Sequence, residues 1–227
     1  MARIAKIDNG VKKRFEREEK KRSVATRDKR VYFLIVCEGE RTEPNYFIEL
    51  GKTLPVGMVD IKIEGSGKNT ISLVEEAIKI RDKNAKRFDR VWVVFDKDSF
   101  PDVNFNGAIA KGKANQIECA WSNEAFELWL ILHFMYRNTS MSRTEYKGVL
   151  ESEIRKRSGD KGYKYLKNAL DTFALVTQYG SQEDAIRNAA KLVGLYGDES
   201  FATHNPCTLV HKLVEELSNP QEILKRL

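Results

Sequence analysis

Arg90-Val91-Trp92-Val93-Val94-Phe95-Asp96-Lys97-Asp98 is the stretch that decides the fold. Its unbroken apolar run is rich in β-branched and aromatic residues. Such a run is typical of a strand that is buried on both faces in a parallel sheet covered by helices. Two carboxylates follow, at Asp96 and Asp98. Because side chains alternate along a strand, these two acids project the same way if extended geometry persists through Lys97.

The position and spacing of the two acids predict a metal site. Ligands of open parallel sheets collect at the carboxyl ends of the strands. Two close carboxylates repel each other unless a cation lies between them, and oxygen ligands of this kind suit hard divalent cations. We therefore expect Mg²⁺ (or Mn²⁺) at Asp96 and Asp98. The plain alternative is an Asp-x-Asp in a solvated turn just past a strand, which is a common triplet.

Two further strands are predicted to bring acids to the same edge of the sheet. The apolar run Val31 to Cys37 is directly followed by Glu38, and a strand over 116–121 leads into a helix over 124–135 that contains Glu127. That helix is apolar nearly all round, so it must be buried. A buried carboxylate costs several kcal/mol unless it is paired. The partner of Glu127 is therefore either a metal or a Lys, an Arg or a backbone N–H.

The order of strands and helices predicts an α/β fold, with a parallel sheet core flanked by helices and a helical C-terminal extension. We divide the chain into a basic N-terminal segment (1–30), an α/β core (31–135) and a mainly helical extension packed on the core (136–227).

Ser122 or Asn123 is expected to cap the helix that contains Glu127. The run 175–179 is left open between strand and helix. The other predicted elements are a helix from Thr42 that ends at Gly51, an edge strand over 59–63, a helix over 70–85, a loop over 100–106, and helices over 142–157, 163–173, 182–196 and 206–218.

Composition excludes several classes of protein. The chain has 227 residues, of which 41% are hydrophobic and 32% charged, and its net charge is +6. No apolar run is long enough to span a membrane. The three cysteines are scattered, which argues against a disulfide framework or a zinc site and favours the cytoplasm. Residues 1–30 hold twelve lysines and arginines against five acids, so this basic segment is either a solvated tail or a nucleic-acid contact.

Three blocks of the chain carry a specific pattern. They are Val36-Cys37-Glu38-Gly39-Glu40-Arg41-Thr42-Glu43-Pro44-Asn45-Tyr46-Phe47, Ser122-Asn123-Glu124-Ala125-Phe126-Glu127-Leu128-Trp129-Leu130-Ile131-Leu132-His133-Phe134 and Asn205-Pro206-Cys207-Thr208-Leu209-Val210-His211. In this order, and over about residues 31–215, the blocks resemble RloB-like proteins. Glu124 departs from the pattern, which has proline there. Glu38-Gly39, followed by a separate strand that ends in Asp96-Lys97-Asp98, resembles the Toprim domain, the metal-binding domain of topoisomerases, bacterial primases and related nucleases.

The resemblance implies a Toprim-like α/β core and an Mg²⁺-dependent nuclease. Glu38 would act as general acid or base, while Asp96 and Asp98 would hold the metal with Glu38 and with Glu127 as a further acidic ligand. Lys113 is the lysine that we select to stabilise charge on the phosphate, and Lys97 and Lys111 are further candidates. The plain alternative for each of these lysines is an exposed charge in a loop.

The implied setting is anti-phage defence with an ABC-type ATPase partner and a DNA or RNA substrate. The other hypothesis is a non-catalytic nucleic-acid or partner-binding module. The sequence leaves open whether the protein is a homo-oligomer.

Overall fold

A five-stranded sheet forms the centre of the computed structural model, which describes residues 30–55, 57–67, 70–84 and 88–225. The strand order is β2-β1-β3-β4-β5. The first four strands are parallel, and β5 runs antiparallel to β4. This mostly parallel sheet with helices around it confirms the predicted α/β class and is consistent with a Rossmann-like core. The strands are β1 (Val31–Cys37), β2 (Val59–Gly65), β3 (Arg90–Asp96), β4 (Glu118–Asn123) and β5 (Cys207–Thr208).

Burial along the strands follows their sequence pattern. The continuous apolar runs of β1 and β3 lie in the middle of the sheet and are almost wholly buried. The alternating strand β2 lies at the edge, as predicted, and is half-buried along most of its length. A strand with apolar side chains on both faces needs neighbours and helices on both sides, whereas an alternating strand tolerates an open edge.

Nine α-helices surround the sheet in the described part of the chain. Helices α2 and α3 pack on one face, where Leu73 and Phe105 meet side chains of β1 and β3. Helices α1 and α4 and the C-terminal helices cover the other face in one continuous apolar cluster. The helices are α1 (Thr42–Thr53), α2 (Thr70–Lys83), α3 (Asp102–Ala114), α4 (Glu127–Leu132), α5 (Arg143–Ser158), α6 (Thr172–Tyr179), α7 (Gln182–Val193), α8 (Val210–Ser218) and α9 (Pro220–Leu224).

Two boundary predictions are wrong on the N-terminal side of the chain. The stretch 100–106 is not a loop, because α3 begins at Asp102 directly after Pro101. Proline just before or within the first turn suits a helix start, since the missing N–H has no partner there in any case. Helix α1 continues past Gly51 to Thr53.

The predicted caps of the buried helix are also wrong. Ser122 and Asn123 remain in β4, where Ser122 lies opposite Thr208 and Asn123 opposite Cys207. The Asn123 side chain donates to the carbonyl of Ala202 at 3.0 Å. Pairing with β5 therefore takes both residues out of reach of the helix start, and α4 begins only at Glu127.

The C-terminal half shows two more differences and decides one assignment that the sequence left open. The stretch 163–171 is irregular because α5 side chains bind its backbone: Arg155 Nε donates to the Tyr163 carbonyl at 2.7 Å, and the Tyr165 N–H donates to Glu151 at 2.9 Å. The undecided run 175–179 lies within helix α6. The last predicted helix over 206–218 begins only at Val210, since the preceding residues form β5.

Two composition-based predictions concern the described residues as well. Each of the three cysteines is free and buried, which confirms the absence of a disulfide framework. Within residues 30–55, 57–67, 70–84 and 88–225, no helix has both the length and the apolar character that crossing a membrane requires. The basic segment over 1–30 lies outside the described residues except for Arg30.

Candidate active site at the carboxyl edge of the sheet

Strand order places a crevice between β1 and β3. The chain leaves β1 towards β2 on one side of the sheet and leaves β3 towards β4 on the other. The connections therefore diverge between the carboxyl ends of β1 and β3, which is where open α/β sheets bind ligands. Glu38 follows β1, and Asp96 is the last residue of β3.

A cleft of about 460 Å³ opens at this point. It is lined by acids from two strand ends and by cations from later parts of the chain. Loop 38–41 and the first turn of α1 form one wall, and the irregular stretch before α6 forms another. The lining residues are Glu38, Gly39, Glu40, Arg41, Thr42, Glu43, Gly67, Asp96, Asp98, Arg143, Lys167 and Asn168.

Glu38 is held against the end of β3. Its Oε2 accepts a hydrogen bond from the backbone N–H of Asp96 at 3.1 Å. Burial is the main cause that raises the pKa of Glu38, to about 7. The hydrogen bond from Asp96 opposes this rise, and the neighbouring charges of Glu43 and Asp98 add to it. Glu38 therefore exchanges protons near neutral pH, as a general acid or base requires.

Asp96 and Asp98 are bridged by one arginine. Arg143, the first residue of α5, lies 3.1 Å from Asp96 through one terminal nitrogen and 3.1 Å from Asp98 through the other. The chain does not stay extended between the two acids, because Asp98 has a φ of 43°. Asp96 is buried, and burial followed by repulsion from Glu43 raises its pKa well above the usual value.

Glu43 completes the acidic cluster and was missed in the sequence. It lies in the first turn of α1, and its carboxylate packs so closely against Gly39 that a side chain there would collide with it. Burial is the largest cause that raises the pKa of Glu43, and repulsion from Glu127 adds to it. An acid in the first turn of a helix that directly follows a strand end must lie at the same edge as that end. The position of Glu43 so soon after β1 could therefore have predicted its place in the site.

Glu127 is buried deeper than the other acids and has protein partners. Tyr165 donates its hydroxyl to Glu127 at 3.3 Å, and the ammonium of Lys167 lies 3.7 Å away. The irregular stretch that carries both residues is fixed to α1, since the Thr42 hydroxyl donates to the Lys167 carbonyl. The sequence left the partner of Glu127 open between a metal and a Lys, an Arg or a backbone N–H, and the structure shows Tyr165 and Lys167 beside it.

The donor chemistry of the cleft fits a hard divalent cation, but the side chains do not converge on one point. Carboxylates whose pKa values rise through burial and mutual repulsion need a counter-charge. In the described part of the chain, however, no three His, Cys, Asp or Glu side chains are grouped so as to hold a metal ion. Arg143 supplies the counter-charge at Asp96 and Asp98 instead.

A family model described as RloB-like protein matches residues 33–217. The chain belongs to the RloB-like family. The matched region includes Glu38, Asp96 and Asp98, as well as Arg143 and Lys167. Comparison with curated proteins finds no match, and neither does comparison with solved structures.

The lysine selected from the sequence of this RloB-like chain does not reach the cleft. Lys113 lies in the last turn of α3, just before β4 begins, and its exposed ammonium is 3.5 Å from Glu199. Because the acids follow the carboxyl ends of the strands, a residue before β4 lies at the other edge of the sheet. Arg143 and Lys167 are the cations that line the cleft beside these acids, together with Arg41.

In the turn after β2, the backbone N–H groups of Ser66 and Gly67 bond to carbonyls of the protein. The N–H of Ser66 donates to the Cys37 carbonyl at 3.0 Å, and that of Gly67 donates to the Glu38 carbonyl at 3.0 Å. These bonds fix the loop that carries Glu38. His133, at the end of α4, is buried and bonds to the Trp129 carbonyl at 3.0 Å.

Proposed function

We propose that this RloB-like protein is a metal-dependent nuclease of the Toprim type that hydrolyses phosphodiester bonds of DNA or RNA. The observation that carries the proposal is the meeting of Glu38 and Asp96 at the switch point of the sheet, in a cleft with Asp98 and Arg143. The chemistry of an acidic cleft with raised carboxyl pKa values matches that of a metal-assisted active site.

Each residue of the cleft has a distinct part in this proposal. Glu38, whose pKa is about 7 in the metal-free cleft, would move a proton to or from the attacking or leaving oxygen. Asp96 and Asp98 would hold Mg²⁺ or Mn²⁺, with Glu127, buried beside Lys167, as a further acidic ligand. A bound divalent cation would polarise the phosphate and activate water. Lys113 has no part in it.

The cations at the cleft offset its acidity towards a polyanionic substrate. Nucleic-acid phosphates are bound mainly through Lys and Arg. Arg143 and Lys167 lie inside the cleft, and Arg41 lies exposed at its wall. The basic excess of residues 1–30 adds positive charge before β1. A substrate phosphate that enters between these cations reaches Asp96 and Glu38.

The biological setting rests on the family alone. We propose that the protein is the effector of an anti-phage defence system in the cytoplasm and that it works with an ABC-type ATPase. The ATPase would hold the nuclease inactive or direct it to its target.

A non-catalytic binding module is the second candidate, and one observation favours it. Arg143 already neutralises Asp96 and Asp98, so these acids are satisfied without a metal. In that case the cleft would be a structural ion-pair network, and the basic residues around it would bind nucleic acid or a partner protein.

Nuclease assays on matched acid variants test the proposal. Purified wild-type protein is incubated with DNA and RNA oligonucleotides and Mn²⁺ or Mg²⁺, alone and with the ABC-type ATPase. We expect metal-dependent cleavage that falls by at least about a hundredfold in Asp96→Asn, in line with loss of a group that acts at the reacting phosphate. Asp82→Asn, which removes an exposed acid on α2, should cleave like the wild type.

Two results would contradict the proposed activity. Equal cleavage by the wild type and Asp96→Asn would assign the activity to another site or to a contaminant. Binding of oligonucleotide without cleavage under every condition, unchanged in Asp96→Asn, would favour the binding module.

A further inference from the structure

Arg143 occupies the position that a bound cation would need. Its guanidinium contacts Asp96 and Asp98 with separate nitrogens, each at 3.1 Å. The two acids come from the end of β3 and the turn after it, whereas Arg143 comes from α5, on the far side of the cleft. No sequence motif predicted this contact.

The guanidinium and a divalent cation would compete for the same two carboxylates. Arginine remains charged at every physiological pH, so it cannot release the carboxylates by losing a proton. A cation bound between the two carboxylates would take the place of the guanidinium. Metal binding therefore includes the cost of breaking one charge-assisted hydrogen bond, from Arg143 to Asp96, and one ion pair, between Arg143 and Asp98.

The backbone of Arg143 is fixed, but its partly exposed side chain has room to move from the two acids into solvent. A capping box formed by Ser142 and Glu145 anchors the start of α5, where the Ser142 N–H donates to Glu145 at 2.7 Å. The Arg143 side chain is 36% exposed, and its Nε is buried without a hydrogen-bond partner. The contacts with Asp96 and Asp98 thus hold a long side chain at the edge of solvent.

We infer that Arg143 is the resident counter-cation of the cleft, which binds Asp96 and Asp98 in the metal-free protein and is displaced when a divalent cation binds. Arg143 thereby sets the metal affinity of the site and keeps the acidic cluster folded when metal is scarce. The inference rests on the proposed function, because it assumes that these acids bind a metal.

Titration with Mn²⁺ alone measures the competition without any substrate. Binding is followed by calorimetry and by electron paramagnetic resonance for the wild type, Arg143→Ala and Arg143→Lys. We expect Arg143→Ala to bind Mn²⁺ about tenfold more tightly, the change that corresponds to loss of one charge-assisted contact that metal would have to break. Arg143→Lys, which has a single ammonium in place of the forked guanidinium, should fall between the two.

Arg187→Ala is the matched control. Arg187 lies on α7 and forms an ion pair with Asp184, three residues earlier. Its loss removes the same charge and the same kind of contact at a surface outside the cleft. We expect the Mn²⁺ affinity of Arg187→Ala to equal that of the wild type.

Thermal unfolding separates displacement from a purely structural role. In EDTA, Arg143→Ala should have a lower Tm than the wild type, because its acids repel each other without a counter-charge. In saturating Mn²⁺ the difference should nearly vanish, since the metal neutralises the same acids in both proteins. An arginine with only a structural role would lower the Tm equally in both conditions.

The possible outcomes separate the inference from the proposed function. Wild-type protein that binds Mn²⁺ while Arg143→Ala binds it equally or more weakly would overturn the displacement of Arg143 and leave the metal site intact. A Tm difference that persists in saturating Mn²⁺ would overturn the displacement as well. Absence of Mn²⁺ binding in the wild type and in Arg143→Ala would overturn both the inference and the metal-dependent activity.

Discussion

Glu38 shows how position changes the chemistry of a single carboxyl group. It is the first residue after β1, and the backbone N–H of Asp96 fixes its orientation. Burial between two strand ends raises its pKa to about 7, although the hydrogen bond favours the charged form. The folded protein therefore binds this proton more tightly than the unfolded chain, where a glutamate titrates near about 4.3.

This difference predicts a pH-dependent gain in stability for Glu38→Gln. Because the pKa is raised in the folded state, wild-type stability falls as the pH rises from about 4.3 to about 7. A glutamine at position 38 cannot ionise, so this loss of stability is absent from the variant. We expect similar Tm values for the two proteins near about pH 4 and a higher Tm for Glu38→Gln at pH values above about 7, measured in EDTA.

An exposed acid at the other edge of the sheet provides the control. Glu118→Gln removes a carboxylate that lies 3.4 Å from Arg90. The Tm difference between this variant and the wild type should not grow across the same pH window. A Glu38→Gln protein whose Tm falls below that of the wild type at about pH 8 would contradict the raised pKa.

At the scale of elements, the loop between β1 and α1 is held by the end of β2. The N–H groups of Ser66 and Gly67 donate to carbonyls at the end of β1 and in this loop. Gly65 packs directly beneath the loop: a Cβ there would lie 2.8 Å from Cα of Glu40 and 3.0 Å from the carbonyl of Gly39. The edge strand therefore positions Glu38 and Glu43 without adding a side chain to the cleft.

A pair of Gly→Ala substitutions tests this packing. Gly65→Ala forces backbone apart, so we expect it to lower the free energy of unfolding by about 1–3 kcal/mol and to reduce cleavage. Gly148→Ala, in the interior of α5 with open space around it, should raise the free energy of unfolding by about 0.5–1 kcal/mol. Urea unfolding measures both, and equal effects of the two substitutions would contradict the close approach at Gly65.

At the scale of the whole molecule, one acid adds polar bonds to the apolar contact between the C-terminal helices and the centre of the sheet. Glu216, on α8, accepts hydrogen bonds from Arg90 at 2.5 and 2.8 Å and from Trp92 Nε1 at 3.0 Å. Arg90 and Trp92 belong to β3, the strand that ends in Asp96. The same C-terminal part supplies β5, which pairs with β4.

We expect Glu216→Gln to lower the free energy of unfolding by about 1–3 kcal/mol, since bonds to a charged acceptor are lost in a partly buried site. The control is Glu215→Gln on the same helix, where a partly exposed acid lies 3.6 Å from Lys212. Its effect should stay within about 0.5 kcal/mol. Chemical denaturation followed by tryptophan fluorescence compares the two. Equal losses would show that Glu216 adds nothing beyond an ordinary surface acid.

The sequence predicted the centre of the fold because the decisive signals there are local. Unbroken apolar runs identified β1 and β3, and alternation identified β2 as an edge strand. The residues after the runs, Glu38 and Asp96, then had to lie at the carboxyl edge, since parallel strands end on the same side. In the structure the two residues meet, because the backbone N–H of Asp96 donates a hydrogen bond to the Glu38 carboxylate.

The wrong predictions concern residues whose structure depends on contacts between distant parts of the chain. Ser122 and Asn123 look like helix caps until Thr208 and Cys207 pair with them. The stretch 163–171 has helical periodicity until side chains of α5 bind its backbone. Lys113 looked suitable because lysine is the right residue type, but residue type does not specify an edge of the sheet.

The amino-acid sequence by itself determined the α/β class, the buried strands and the edge where the acids gather, because apolar periodicity and the direction of parallel strands suffice for these. Only the tertiary structure decided which charges face those acids. Arg143 reaches Asp96 across 47 positions of sequence, and Lys167 reaches Glu127 from the irregular stretch after α5. Such pairs form where distant segments of the chain meet in space, and nothing in the local pattern around an arginine or a lysine encodes the carboxylate that it meets.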